Sequence, residues 1–323
     1  MGVKISVIVP AHNEEPYITR CLNSLMAQDL PKENYEVIVV DNASTDNTSR
    51  HVQEFEDVKY IYKESGPVGA VRNYGALYAS GEILAFIDGD CVAPKNWLAS
   101  GINLLQLHPE TVLGGKYSLD SEASWIERYW LLGLKDTTSE KIDLLGGTIF
   151  IKKEHFSLVG GFNENVSSGE DSQLASDLRR SGISVKINQA LNVIHLGNAK
   201  TAQDFIKRQA WHSENYIDRI GESTKDPIFL IIIAFDISVI TAISMLITGN
   251  LIYFLLCLIS ATALTTILSI KRISRSKNPL KLSRKLHKIL YLDLLYLIGR
   301  TIGVARGIKK SLTTNTGAAQ KGG

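Results

Sequence analysis

Cysteine is scarce in this chain: Cys21, Cys91 and Cys257 are the three, far apart, one of them inside an apolar run. That spacing excludes a disulfide framework and a zinc site, and it fits a reduced, cytosolic setting. Net charge is equally slight, +2 over 323 residues, so the total gives no ground for a nucleic-acid partner. Also missing are a signal-peptide core behind a basic start, an internal repeat, a Gly-x-Ser-x-Gly nucleophile elbow and a Walker Gly-Lys-Ser/Thr. Between Pro227 and Ile270 charge itself is nearly absent, Asp236 being the only charged side chain. Acids are then absent from the block that follows, which holds Lys271, Arg272, Arg275, Lys277, Lys281, Arg284, Lys285 and Lys288.

The low-charge stretch divides into residues 227–248 and 251–270, each about 20 residues long, which is the length that spans a bilayer core as helix. The tight Thr248-Gly249-Asn250 connection favours a helical hairpin, and the basic block marks its cytosolic side. The expectation is a domain over residues 1–225 facing the cytoplasm and a membrane-anchoring region over 226–310. A buried helical hairpin in a soluble protein is the alternative. Residues 289–304 are apolar but interrupted by Asp293 and Arg300, seven apart on one helical face, as in a helix, expected over about 285–306, lying in the membrane interface. A third span is the other reading. Residues 311–323 are small and polar and are expected to be disordered.

In the first half, ISVIVP (5–10), VIVV (37–40) and ILAFI (83–87) are short continuous apolar runs. Helical spacing is evident over 16–28 and 68–80. Strand–helix–strand–helix–strand with unalternating strands predicts an α/β fold with a mostly parallel sheet covered on both faces. Ligands of such sheets bind beyond the carboxyl ends of the strands. The polar groups after the three strands, His12–Glu15, Asp41–Asp46 and Asp88–Asp90, should therefore converge on one rim. From Gly114 to His195 short strands (149–152, 184–187, 192–195) and a helix near 171–181 suggest a mixed second half of the same domain.

Asp88-Gly89-Asp90 places two carboxylates at a strand end, with a glycine that permits close approach. Hard oxygen ligands of this kind suit Mg²⁺ or Mn²⁺ shared with substrate phosphates, although an acidic turn would read the same way. Asp41 is either a ligand contact or a turn residue. Asn13 and Glu14 either border a ligand or open the next helix. Arg72 is a binding group or a surface cation, and Gly146-Gly147 a close approach or a turn. Glu170 and Asp171 open a helix, where acids are favoured by the dipole; Asp171 could equally be a general base. His195 ends a strand and is a metal ligand or a packed residue.

Taken in order, ISVIVPAHNEE, EVIVVDNASTDNT, GPVGAVRNYGALYASGEILAFIDGDC, GGTIFIKKEHFSLVGGFNE and GEDSQLASDLRRSG resemble the motifs of the family 2 glycosyltransferases with the GT-A, Rossmann-like fold. The resemblance covers residues 5 to about 200. It implies that Asp41 and Arg72 contact a nucleotide base and that the loop at Pro10, Ala11, Asn13 and Glu14 borders it. It puts Asp88 near the ribose and metal, and Asp90 with His195 on the metal at the diphosphate. Gly146 and Gly147 then line the sugar or acceptor pocket beside Glu170, and Asp171 is the catalytic base. Asn42 stands where many relatives carry a second Asp. The Gln-x-x-Arg-Trp signature of processive synthases is missing; Gln209-Ala210-Trp211 is a distant echo of it.

The resemblance thus implies an inverting, metal-dependent transfer of a sugar from a nucleotide sugar, with UDP expected from family frequency. A membrane anchor suits a lipid-linked saccharide acceptor in cell-envelope or exopolysaccharide assembly. Transfer to polyprenyl phosphate is a second reading, and a non-catalytic membrane scaffold or sugar-nucleotide sensor a third. Residues 202–220 mix aromatic and basic side chains, as in a helix at the membrane surface or one that merely covers the domain.

Overall fold

The computed structural model describes residues 3–131, 144–166, 168–217, 220–274, 276 and 283–319. The three apolar runs form the middle of a seven-stranded sheet. β1 (Ile5–Ala11), β2 (Tyr35–Asn42), β3 (Val58–Lys63) and β4 (Ile83–Phe86) are parallel, in the order β3-β2-β1-β4. Every residue of β1 is buried because its two faces enter two cores. Val7 and Val9 pack with Ile18, Cys21 and Leu22 of α1 (Ile18–Met26). Ile8 packs on the other face with Val71 and Ala76 of α3 (Val68–Leu77), while α2 (Thr48–Gln53) follows β2. Pro10 is tolerated in so central a strand for a local reason. Ile8 offers its carbonyl to Ile87 N–H on the β4 side, and Pro10, two residues on, faces the same way. There the β1–β4 ladder has already ended at Ile8 opposite Phe86, so the missing N–H leaves nothing unpaired.

Beyond β4 the direction changes. β8 (Ile149–Lys152) is antiparallel to β4 and to β6 (Thr111–Gly114), which is parallel to β9 (Ser184–Ile187). α4 (Trp97–Leu107) packs Trp97 on Phe150, α6 (Lys153–Leu158) follows β8, and α7 (Glu170–Arg180) buries Leu174, Ala175 and Leu178. A separate three-stranded sheet, β5 (Cys91–Val92), β10 (Val193–His195) and β7 (Tyr117–Ser118), sits beside the end of β4. The sheet content is that of a GT-A-like α/β fold.

The chain divides into two compact units, Met1–Ser121 with Ser139–Gly197, and Glu122–Thr138 with Asn198–Gly323. This division falls before the expected boundary at 225. α5 (Trp125–Trp130) and α8 (Ala202–Ser213) belong with the C-terminal helices because Ile126 and Phe205 share a core with Phe229, Ile232, Leu292 and Leu297. After α9 (Ile220–Ser223) come α10 (Pro227–Ile247) and α11 (Leu251–Ser274), both long and apolar enough to be candidate membrane spans. Their hairpin closes as the sequence suggests. Asn250 N–H bonds to the Met245 carbonyl at 2.9 Å and Gly249 N–H to Leu246 at 3.2 Å, with Gly249 at φ 77°, an arrangement that satisfies the last carbonyls of the helix.

α12 (Leu286–Ala319) is longer than expected. The tail predicted to be disordered from residue 311 continues the helix to Ala319, since no proline interrupts a ladder that gains one bond per residue; residues 320–323 lie outside the described residues, as do Arg275, Lys277 and Lys281 of the basic block. α12 packs along α8 through Gly299, Gly303 and Gly307. A Cβ on each would lie 2.7 Å from Gln209 Cβ, 2.1 Å from the Ala210 carbonyl and 2.4 Å from the Glu214 carbonyl. Asp293 is buried against α11, where Arg272 Nη2 (2.6 Å) and Ser269 Oγ (2.7 Å) donate to it. Tyr291, Leu294, Ile298 and Ile302, at helical spacing on α12, are exposed.

Candidate active site

The carboxyl ends of β1, β2 and β4 meet on one rim of the large sheet. At the β1–β2 end the two loops are laced together. Ala11 is in register with Asp41. Asn13, at φ 56°, accepts Thr45 N–H at 2.8 Å and gives its own N–H to Ser44 Oγ at 3.0 Å. Glu14 N–H donates to Thr48 Oγ1 at 2.7 Å. Asp41 is buried and accepts from Ser44 N–H at 2.9 Å and from the Tyr60 hydroxyl at 2.8 Å. Burial, then Asp41, pushes the Tyr60 phenol up to about 12.

At the β4 end the small sheet does the assembling. Antiparallel pairing sets His195 opposite Cys91, so a histidine more than a hundred positions away arrives beside Asp90, its Nε2 3.3 Å from Asp90 Oδ2. Parallel pairing of β10 with β7 brings Tyr117 to the same place, its ring 4.6 Å from that of His195. The Tyr117 hydroxyl donates to Asp88 Oδ2 at 3.1 Å and accepts Gly147 N–H at 3.2 Å. Burial, then Asp88, raises this phenol well above its ordinary value. No motif singles out Tyr117 in the sequence; its place depends on a two-residue strand.

Arg72, which the resemblance puts on a nucleotide base, is held here by two acids. Its side chain is 3% exposed, and Nη1 and Nη2 donate to Glu170 Oε1 at 2.6 Å and Asp88 Oδ1 at 2.7 Å. It is a buried bridge between two acids, with Nε left without a partner among the described residues. Gly146 and Gly147 lie directly over it: a Cβ on Gly146 would be 2.3 Å from Arg72 Nη2, and one on Gly147 2.6 Å from Asp88 Oδ2. The glycine pair is therefore packed tightly against side chains of the site, Gly146 on Arg72 and Gly147 on Asp88 and Tyr117. Gly146 N–H donates to Asp171 Oδ2 at 3.1 Å and Ser172 N–H to Asp171 Oδ1 at 2.7 Å. Even so, burial, then Glu170, raises the Asp171 carboxyl.

A divalent cation fits these residues. Arg72 joins Asp88 to Glu170, with Asp171 next to it, and Glu14 lies near Asp90 and Asp88. Burial, then Asp90 and Asp88, pushes Glu14 up to about 8, the mark of crowded acids without enough positive charge. Asp90, Cys91 and His195 offer ligand atoms within 4.8 Å of one another. Gly197 keeps space at Asp90, for a Cβ there would lie 2.0 Å from Oδ2. Cys91 is fully buried and a thiolate is a soft donor ill-suited to Mg²⁺ or Mn²⁺, so the pair left is the Asp90 carboxylate and the His195 imidazole. Asp88 falls outside that group, held by Arg72 and Tyr117.

The sequence profile described as Glycosyl transferase family 2 matches residues 6–159. Glycosyltransferase AglE of Haloferax volcanii is 31% identical over 215 residues, which are 64% of this chain and 70% of that protein. Poly(ribitol-phosphate) beta-N-acetylglucosaminyltransferase TarS of Staphylococcus aureus is 40% identical over 116 residues, covering 34% of this chain and only 20% of TarS. Among solved structures, mannosyltransferase PcManGT from Pyrobaculum calidifontis, in complex with GDP-Man and Mn²⁺, matches with a TM-score of 0.53 at 19% identity, over 94% of this chain and 88% of that one. The last is a likeness of fold.

Proposed function

This chain belongs to glycosyl transferase family 2, and from that premise we propose that it moves a sugar, with inversion, from a UDP-sugar to a lipid-linked saccharide in cell-envelope glycan assembly. The observation that carries the reading is the chain of contacts on one rim, Asp90 with His195, and Asp88 through Arg72 to Glu170 beside Asp171. Asp90 and His195, with Asp88 alongside, would hold Mg²⁺ or Mn²⁺, which supplies Lewis-acid stabilisation of charge on a departing diphosphate. Asp171 takes the proton of the acceptor hydroxyl, its carboxyl oriented by Gly146 N–H. Gly146 and Gly147 admit the sugar close to the backbone, and the loop at Pro10–Glu14 with Asp41 borders the nucleotide. With one base and no enzyme nucleophile, the displacement is single and the anomeric configuration inverts.

The membrane part of the proposal rests on the two candidate spans and on the exposed apolar face of α12. An anchored domain facing the cytoplasm suits an acceptor that is itself held in the bilayer. The test is a panel of nucleotide sugars against the detergent-solubilised full chain, with and without EDTA. Turnover of one donor, lost in EDTA and restored by Mg²⁺ or Mn²⁺, is expected; undiminished turnover in EDTA would remove the role given to Asp90 and His195. Asp171→Asn should lower transfer to a saccharide hydroxyl by about 10²–10⁴-fold. A polyprenyl phosphate acceptor is already ionised, so near-normal activity of that variant would select the second reading.

A further inference from the structure

The hydroxyl of Tyr117 on β7 sits where distant segments of the rim meet. It donates to Asp88 Oδ2 at 3.1 Å and accepts Gly147 N–H at 3.2 Å, so the phenol is used both as donor and as acceptor. Arg72 Nη2 already holds the other oxygen, Asp88 Oδ1, at 2.7 Å. Asp88 is therefore pinned at both oxygens, and loss of the phenol would leave its carboxyl to turn about the Arg72 contact. On the loop side, Gly147 N–H is aimed at the phenol, while Gly146 N–H is aimed at Asp171 Oδ2, 3.1 Å away. Two successive amides thus join Tyr117 to the carboxyl proposed as the base. The strand that carries Tyr117 is tied to the same loop, for Gly115 N–H donates to the Thr148 carbonyl at 3.2 Å and Thr148 Oγ1 to the Leu191 carbonyl at 2.6 Å. Lys116 N–H bonds to Asn192 Oδ1 at 2.7 Å, and the Tyr117 ring is set 4.6 Å from that of His195. A Cβ on Gly147 would come within 2.7 Å of the phenol oxygen and 2.6 Å of Asp88 Oδ2, so the loop backbone lies directly on both groups.

We propose that Tyr117 is a positioning residue for the transfer: its hydroxyl locks the Gly146–Gly147 loop to Asp88 and so fixes the distance between the metal end of the site and the Asp171 base. No proton or group passes to or from the phenol. Transfer needs the attacking oxygen and the departing diphosphate in line, and a misplacement of about 1 Å can cost about 10²-fold in rate. The inference rests on the transferase reading and names what sets the geometry of that site.

The test uses the full chain in detergent as wild type, Tyr117→Phe and Tyr117→4-aminophenylalanine. The first variant keeps the ring against His195 and loses the hydroxyl; the second keeps a donor for Asp88 and a lone pair for Gly147. Amide exchange, read residue by residue by mass spectrometry with EDTA present, needs no substrate. In Tyr117→Phe the Gly146 and Gly147 amides should exchange about tenfold faster or more. Ile87 N–H, bonded to the Ile8 carbonyl at 3.2 Å in the core, should keep its rate. With the nucleotide sugar that wild type turns over, kcat should fall about tenfold or more, while donor KM stays within about threefold because the β1–β2 loops are untouched. Tyr117→4-aminophenylalanine should recover most of both losses. A tyrosine that merely supports the fold would speed exchange at Ile87 as well, or lower kcat with Gly146 and Gly147 unchanged. Either result overturns the proposal, as does a kcat within threefold of wild type in Tyr117→Phe or no recovery with 4-aminophenylalanine. If wild type turns over no nucleotide sugar, the transferase reading fails instead, and the exchange rates still decide whether Tyr117 locks the loop.

Discussion

The two ends of the rim, one built by the large sheet and the other completed by the small one, differ in how far their polar groups satisfy one another. At the β1–β2 end Asn13 holds Thr45, Glu15 holds Asn47, Asp46 holds Thr48 and Asp41 holds Tyr60. Hydrogen bonds hold Glu15 and Asp46 below their ordinary values, through Asn47 for the first and Thr48 for the second, although burial works against them in Asp46. Glu14, whose backbone belongs to the β1–β2 loops but whose side chain reaches Gly89 at the β4–β10 end, is raised there together with Asp171, in both cases by burial first and then by neighbouring acids. The first end is a finished scaffold that holds its shape without a ligand. The second is short of positive charge, and departures of this kind concentrate where ligands bind and chemistry occurs.

The contrast predicts unequal consequences of mutation, largest at the crowded end. Asp90→Asn removes a hard ligand while keeping shape, and the charge stabilisation at stake is several kcal/mol, so kcat should fall about 10³-fold or more. Turnover measured across a Mg²⁺ titration checks this; a fall of less than tenfold at saturating metal would break the comparison. Next comes Arg72→Met, which leaves Asp88 and Glu170 without the cation that bridges them. Breaking a buried pair in this way destabilises by about 3–5 kcal/mol. Urea unfolding should show that loss, and adding Glu170→Gln should recover part of it, because one of the two stranded charges is then gone.

A smaller effect separates the ends by pH. The folded-state pKa of Glu14 is raised from 4.5 to about 8. A raised carboxyl binds its proton more tightly in the folded protein than in the unfolded one. Its contribution is thus fully present below about pH 4.5 and is lost as pH rises through about 8. Melting temperature in EDTA should therefore decline between these values, and Glu14→Gln should flatten the slope. A wild-type melting temperature that is level across that window would show that the acids are not crowded. Glu15 is shifted in the opposite direction, so Glu15→Gln should not reproduce the flattening.

The scaffold end is the more legible in sequence, for a physical reason. β1, β2 and β4 are buried on both faces, so their apolar runs are continuous and the loops that follow them fall on one rim by the logic of a parallel sheet alone. Edge strand β3 escapes that reasoning, because Val58–Lys63 is half exposed and carries lysines at both flanks of its apolar residues. The crowded end is legible as a set of motifs but not as an arrangement. Tyr117 depends on two-residue strands that leave no periodicity, and the bridge made by Arg72 depends on Glu170, nearly a hundred positions away. Gly299, Gly303 and Gly307 recur every four residues in plain view. Their meaning depends on α8 lying against them, a contact that spacing along α12 does not encode.

The smallest expected effect lies at the finished end, at Tyr60. Tyr60→Phe removes one donor to Asp41 Oδ2 and keeps the ring, while Ser44 N–H still holds the other oxygen. Leaving one oxygen of a buried carboxylate short of a donor should destabilise by about 1–3 kcal/mol. The groups proposed to react are carried by β4, β10 and α7, not by β3, so kcat should stay within about threefold of wild type, a change of under 1 kcal/mol in the barrier. KM for the donor is the more sensitive quantity, because Asp41 is the residue proposed to border the nucleotide and its orientation depends on these two donors. A rise in KM with kcat preserved places Asp41 in ground-state binding of the donor. A tenfold fall in kcat instead would mean that the scaffold end takes part in chemistry, and the division of the rim into a finished end and a charge-deficient end would have to be abandoned.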